Sequence, residues 1–221
     1  MRTVLEFAPY AGTARHVLVS HNASLAPGAN GYTIEVWFKA PNTSANQKII
    51  SKFHDAEQSG FLIGTYNGYI YSELYLLKNS TKTLFEEKDT GVLATDTWTH
   101  IALVWTPGSS GTVANYINGS LVQTLAAADT SWGSCTTDMV IGQWADFPFT
   151  GMVDEVRIWN TARSQSEIQA TRDATLTGSE SGLVALYRFD ETSGTTVTDS
   201  AGADNNGTLV NMSGTWTSVP W

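Results

Sequence analysis

A single cysteine, Cys135, stands in 221 residues. One thiol excludes an intrachain disulfide and any zinc site built on two or four thiolates, so stability must come from packing, with or without a hard cation. Basic residues are scarce too: 12 Lys and Arg against 21 Asp and Glu leave a formal charge of −9. Phosphate recognition needs clustered cations, so nucleic acid is excluded as a partner, and the same sign argues against anionic membranes. No apolar run is long enough to span a bilayer, and the opening MRTVLEFAPYAG has no apolar stretch behind its Arg. Neither membrane insertion nor a signal peptide is therefore read in the chain.

Aromatic residues and glycine are plentiful. Eight Trp, eight Tyr and eight Phe accompany 19 Gly, while only 15% of residues are charged. That mixture suits strands and tight turns rather than helices. No Pro-rich or low-complexity linker divides the chain, so one all-β domain over 1–221 is expected, with 182–221 as a C-terminal segment packing on it.

Strand patterns recur. In GYTIEVWFKA, Tyr32, Ile34, Val36 and Phe38 fall on one face and Thr33, Glu35, Trp37 and Lys39 on the other, the alternation of a half-buried strand. THIALVWT aligns Ile101, Leu103 and Trp105 in the same way. NYINGSLVQTL sets Asn118 and Gly119 between two strand-like segments, a dipeptide that tolerates the positive φ of a two-residue hairpin. FLIGTYNGYIYSELYLL repeats the device at Asn67 and Gly68, which pairs Tyr66 with Tyr69, Gly64 with Tyr71 and Leu62 with Glu73. Tyr66, Tyr69, Tyr71, Glu73 and Tyr75 then share one face, opposite Phe61, Ile63, Ile70, Leu74 and Leu76 on the core side. Either that tyrosine face is a ligand platform, or Tyr merely suits an exposed sheet, with Tyr71 covering Gly64.

One helix signal is persuasive. Ser164 followed by Glu167 makes a capping box, and a short helix over about 165–171 should follow. Beyond it TLTGSESG reads as a loop, LVALYRFD as a strand, and TSGTTVTDSAGADNNGTL as a turn-rich excursion ending in a last short strand.

Taken in order, several segments resemble the laminin-G-like jelly-roll family, relatives of the concanavalin A-type lectins, laminarinases and pentraxins. VLEFAPYAGTARHVLVSHNASLAP resembles the family's opening strand and loop, and GYTIEVWFKA its next strand. WTHIALVWTPGSSGTVANYINGSLV is similar to its central hairpin, and IGQWADFPFTGMVDEVRIWNTARSQSEI to its closing strand and short helix. GLVALYRFDETSGTTVTDSAGADNNGTL is similar to a segment that often precedes the jelly roll; here it comes last. The resemblance implies a jelly-roll β-sandwich of two antiparallel sheets with one short helix. It permits glycan binding, calcium binding, adhesion or plain structural use, because one fold hosts many activities. The loop APYAGTARHV departs from the family's acidic form, which puts a calcium site there in doubt.

Catalytic patterns are missing. A retaining glycosidase needs two carboxylates about 5 Å apart, which the enzymes of this fold set on alternate residues of one strand. Asp154 and Glu155 are adjacent, so strand alternation should send them to opposite faces. Glu86, Glu87 and Asp89 read, with Lys88, as a solvated loop. The four His, at 16, 21, 54 and 100, show no HExxH spacing and no Ser or Cys partner. His100 reads as a satisfied strand histidine, and His16 with His21 as a weak candidate metal pair.

Asp154 shares alternation with Val156 and Ile158 and should point inward at the sandwich rim, where a carboxylate needs N–H donors or a cation. Two readings stand: an Asp capping loop amides, or, as the resemblance implies, a ligand of structural calcium completed by backbone carbonyls around Tyr10 to Thr13. The acids and amides between Asp190 and Asn206 read as turn formers, with a second cation as the alternative. The remaining ligand candidates are aromatic, since sugars stack on rings while polar groups bind their hydroxyls. They are the tyrosine face with Glu73, and the loop residues Trp132, Trp144 and Phe147 beside Asp146. The first functional reading is a non-catalytic module recognising a glycan or glycoprotein outside the cell. The second is a structural or adhesive subunit of a cell surface or virion, such as a decoration or fibre protein; a glycoside hydrolase is the third.

Overall fold

A computed structural model describes residues 2–7, 15–54, 59–78, 81–87, 92–202, 204–212 and 216–219. In chain order its strands are β1 Arg2–Phe7, β2 His16–Val19, β3 Tyr32–Lys39, β4 Gln47–His54, β5 Ser59–Tyr66, β6 Tyr69–Lys78, β7 Thr81–Glu87, β8 Thr99–Thr106 and β9 Thr112–Ile117. There follow β10 Ser120–Ala126, β11 Thr130–Trp132, β12 Met139–Ile141, β13 Gly151–Trp159, β14 Leu183–Tyr187, β15 Thr196–Val197, β16 Gly207–Val210 and β17 Trp216–Val219; helix α1, Gln165–Thr171, separates β13 from β14. One sheet of eight strands runs β10-β9-β8-β3-β13-β1-β17, with β14 also on β13. The other, of nine, runs β11-β6-β5-β4-β12-β2-β16-β15, with β7 on β6. Every pairing between named strands is antiparallel, and the two sheets close over one core as a jelly-roll sandwich.

That core is the one the alternation predicted. Tyr32, Ile34, Val36 and Phe38 of β3 meet Phe61, Ile63, Ile70, Leu74 and Leu76 from the opposite sheet, all buried. Each such side chain contributes about 1.5–3 kcal/mol, so a chain without disulfides holds together by burial. Both Asn-Gly hairpins form with the expected register, Tyr66 opposite Tyr69 and Leu62 opposite Glu73, and Asn67 and Asn118 take the positive φ their turns demand.

The second face of β3 was expected to be open, yet Glu35 is 0% exposed. The reason is α1 and the turn after it, which roof this part of the sheet. Ile168 packs on Ala102 and Val104, and Trp37 Nε1 donates to the Arg172 carbonyl at 3.0 Å. A carboxylate sealed there must be matched by cations or donors. His100 Nε2 lies 3.0 Å from Glu35 Oε2, Arg163 Nη1 3.3 Å from Oε1 and Arg157 Nη1 3.9 Å from Oε2. Burial pushes the Glu35 carboxyl up, but these partners together hold it below its ordinary range. Arg157 also donates to the carbonyls of Thr171 and Ala174, capping the end of the helix that covers it. The capping box of Ser164 and Glu167 is present at the other end.

Residues beyond 182 are woven into both layers: β14 joins the first sheet, β15 and β16 the second, and β17 returns beside β1. Asp199 fastens this segment. Its Oδ1 accepts the N–H groups of Leu186 and Ala201 at 2.9 Å each, and its Oδ2 accepts Asn205 Nδ2 at 3.1 Å. Of the acids and amides expected to form turns, Asp199 bonds locally to the Ala201 N–H, while its bond to Leu186 and that of Asn205 to the Val184 carbonyl run across the segment.

Candidate functional site

The strand that carries Asp154 is irregular where it matters. Asp154 pairs with Trp37 and Arg157 with Glu35, leaving residues 155 and 156 against Val36 alone, and Glu155 takes a φ of +49°. This is a β-bulge, which turns a strand's alternation by one residue. Asp154 therefore leaves the core face and lies beside Glu155, the reverse of the separation expected from alternation. Both are sealed, at 1% and 3% exposure. Arg2 Nη1 sits 3.4 Å from Asp154 Oδ2 and 3.6 Å from Glu155 Oε1, while Arg157 Nη2 binds Glu155 Oε2 at 2.9 Å. Burial first, and the Glu155 charge second, push the Asp154 carboxyl up to about 7 against the pull of Arg2.

Asp154 fits calcium poorly. Its Oδ1 accepts the Glu155 N–H at 2.9 Å and its Oδ2 faces a guanidinium, which repels a dication. The carbonyls of Tyr10 to Thr13, expected as partners, lie outside the described residues. Among the described residues no three His, Cys, Asp or Glu side chains gather as a metal would require.

A different surface collects the aromatic candidates. On the outer face of the nine-stranded sheet, Leu18, Val140, Ser51, Leu62, Glu73 and Glu86 stand opposite one another across six strands. Beside this row, Phe53 and Tyr75 flank Gly60, and with no side chain between them their rings approach to 5.4 Å. The segment after β12 is tied to β4 through Gly142 N–H to Ile49 O, Lys48 N–H to Phe147 O and Thr150 N–H to Gln47 Oε1. It delivers Trp144 edge-on to Phe53 at 5.2 Å and stacked on Phe147 at 6.2 Å. Lys48 runs over Gly64 and sets its Nζ 4.0 Å from the Tyr71 ring centre and 5.5 Å from that of Phe147. Tyr66 meets Tyr71 at 6.3 Å. The two aromatic sets proposed from sequence thus form one track, Trp144 and Phe147 to Phe53 and Tyr75, then Tyr71 and Tyr66. The side chain nearest to Gly64 is that of Lys48.

At the Trp144 end the track opens into a cleft of about 290 Å³ between β2, β12 and β4, walled by Leu18, Phe53, Val140, Trp144, Asp138 and Gln143, with His16 and Ser51. Its polar groups are placed by their neighbours. Ser51 Oγ donates to the Gln143 carbonyl at 3.1 Å, Gln143 Nε2 donates to Ala145 O at 2.9 Å, and Asp138 Oδ1 accepts the His21 N–H at 2.8 Å. Two buried atoms in this wall, Gln143 Oε1 and His16 Nδ1, have no hydrogen-bond partner. A buried acceptor without a donor costs about 1–3 kcal/mol.

Not every candidate joins. Trp132 packs in the core against Tyr32 at 5.6 Å and Trp105 at 6.5 Å, on the far side of the sheet from the track. Asp146 stands exposed at the loop tip and Tyr69 bridges to Val92. Glu86, expected in a solvated loop, is on β7 opposite Glu73, and the Tyr71 hydroxyl lies between their carboxylates. His16 and His21 do not pair: His16 lines the cleft, while His21 Nδ1 contacts Lys52 Nζ at 3.1 Å. Phe53, Ser51, Asp138 and Gln143 escaped the sequence reading, because a lone Phe or Gln beside strands carries no pattern; IGQWADF, with Gln next to Trp, held the one hint.

Residues 11–169 match the family described as the concanavalin A-like lectin/glucanases superfamily. No curated protein matches the sequence. Among solved structures, the chain is similar to a candidate carbohydrate-binding protein of Bacteroides ovatus, with 20% identity and a TM-score of 0.68 over 94% of this chain and 58% of that one. It thus spans little more than half the length of that protein. A heptameric SAP-like pentraxin of Limulus polyphemus shares 17% identity, with a TM-score of 0.53 over 76% of this chain and 80% of its own. The CBM40 domain of a Ruminococcus gnavus IT-sialidase, bound to α2,3-sialyllactose, shares 15% identity at a TM-score of 0.53, over 76% and 95%. At these identities the likeness is one of fold.

Proposed function

The chain belongs to the concanavalin A-like lectin/glucanases superfamily, and from that premise we propose that it is a carbohydrate-binding module without catalytic function, taking a glycan or glycoprotein glycan outside the cell. The observation that carries this reading is the cleft beside Trp144 and Phe53, where an aromatic wall and the partnerless Gln143 Oε1 and His16 Nδ1 occur together. Sugars present an apolar ring face and a fringe of hydroxyls, and this wall matches both. The track leading away past Tyr75 and Tyr71 extends the same chemistry beyond one sugar ring. The Bacteroides and Ruminococcus structures, described respectively as a candidate carbohydrate binder and a sugar-bound domain, support the reading through shared fold.

A glycan array probed with the parent protein and with Trp144→Ala tests it. Binding that the variant loses supports the module; no binding to any glycan, or binding indifferent to Trp144, overturns it. One observation favours a second reading: Glu73 and Glu86 face each other beside the track. Hydrolysis of a bound glycan, abolished by Glu73→Gln and by Glu86→Gln, would make the protein an enzyme instead.

A further inference from the structure

The cleft and the aromatic track are parts of one surface, and its length limits what fits. Leu18 in the cleft and Glu73, between Tyr71 and Tyr75, are four inter-strand spacings apart, about 19 Å. The cleft alone, at about 290 Å³, lies at the small end of sites that enclose a whole ligand. Its lining mixes the Asp138 carboxylate with the Thr137 hydroxyl and the Trp144 indole N–H, acceptors beside donors, and a sugar hydroxyl can meet both.

Aromatic rings carry the surface onward. Trp144 and Phe147 lie parallel, 9° between their planes, and step from the cleft mouth toward β6. Lys48, 3% exposed with its Nζ at Asn46 Oδ1, 2.6 Å away, sits between Phe147 and the Tyr71 ring and holds the two in place. Tyr66 follows, 6.3 Å from Tyr71 and 41% exposed. At the opposite limit the sheet continues past Leu18 to Thr208 of β16, an exposed residue, so a chain can leave the cleft on that side too.

A pyranose unit in a linear chain advances by about one inter-strand spacing, so this surface spans about four or five units. A single terminal sugar would occupy the cleft and leave Tyr71 and Tyr66 idle. Resting on the glycan-binding reading above, we infer that the site takes an internal stretch of a linear polysaccharide laid across the strands from β2 to β6. The cleft holds one unit, and Tyr71 and Tyr66 stack on units further along the chain.

Calorimetry with oligosaccharide ladders tests this, using cello-, laminari-, manno-, xylo-, arabino- and chito-oligosaccharides from the dimer to the hexamer. In the series that binds, affinity should rise about tenfold from dimer to pentamer, the gain of about one added stacking contact, and then level off. Tyr71→Ala and Tyr66→Ala should each shrink that gain severalfold, and Tyr71→Phe, which keeps the ring, should preserve it. Tyr66 is exposed, so its variant tests the surface even if Tyr71→Ala, which removes a hydroxyl set between Glu73 and Glu86, fails to fold. Trp144→Ala should weaken every length. Leu121→Ala removes a similarly exposed apolar side chain from β10 of the other sheet and should leave the ladder as it stands. Equal affinity for dimer and hexamer, or a ladder that neither tyrosine variant changes, overturns the inference and leaves the module standing. So does a glycan array on which only the terminal sugars of branched glycans bind. Should neither ladder nor array yield a ligand, the module reading falls and this inference with it.

Discussion

Asp154 and Glu155, successive residues of β13, meet the same guanidinium: Arg2 Nη1 is 3.4 Å from one carboxylate and 3.6 Å from the other. Regular strand geometry forbids this for neighbours, and the bulge at Glu155 makes it possible.

The crowding of those two acids has a pH signature. The Asp154 carboxyl is raised from 3.8 to about 7 in the folded protein. Between those values the native state holds a proton that the unfolded chain has lost, so stability falls as pH rises, by at most about 1.4 kcal/mol per unit, and the full cost stands above pH 7. Melting temperatures should drop from pH 5 to pH 8. Asp154→Asn, which still accepts the Glu155 N–H, should flatten that profile and melt higher than the parent at pH 8, with or without calcium.

Two tryptophans should behave oppositely. Trp132→Ala opens a void against Tyr32 and Trp105 and should cost about 3 kcal/mol in urea denaturation, with glycan affinity unchanged wherever the protein is folded. Trp144→Ala should lower glycan affinity more than tenfold and shift the urea midpoint little. The reverse pattern would show that the ligand surface has been placed on the wrong face.

Gly64 is needed for space rather than for its φ. A Cβ there would stand 2.0 Å from the Gln47 carbonyl and 2.9 Å from Lys48 Cδ. Gly64→Val should cost about 2–3 kcal/mol and displace Lys48 from Tyr71, which tyrosine fluorescence and calorimetry can follow separately. A variant as stable as the parent would contradict the tight β4–β5 contact.

Asp199 is the fastening of the C-terminal weave. Asp199→Ala strands the Leu186 N–H in the interior and should cost about 3 kcal/mol. Hydrogen exchange should quicken over β14 to β16 before it does over β3 and β8; uniform quickening would mean that the segment is not separately held.

How much could be read in advance depended on whether a residue's role showed in its neighbours along the chain. Asn67-Gly68 and Asn118-Gly119 fixed two hairpins and their registers because their turn chemistry is local. Ser164 and Glu167 announced the helix for the same reason. Glu35 looked exposed because the roof that buries it arrives more than 120 residues later, with Arg163 and Ile168. Asp154 was misplaced because the bulge residue is a Glu, and nothing in DEVRIW marks positive φ as a glycine would. The tyrosine face was found, its junction with Trp144 was not: that needed β4 and β12 to be neighbours, a long-range pairing that no window of sequence contains.

The bulge also divides one edge of β13 between two tenants. Gly151 to Val153 hold β1, and Val156 to Trp159 hold β14, with the Asp154–Glu155–Arg2 cluster at the seam. Under a mechanical load applied at Arg2, rupture would travel along β1 and halt where its tenancy ends. The Arg2 clamp is then the first element to bear the force, and the ladder of β14 lies sheltered behind a break in the hydrogen-bond line, so a pull on the N-terminal strand should register as a separate, early event before the sandwich gives way.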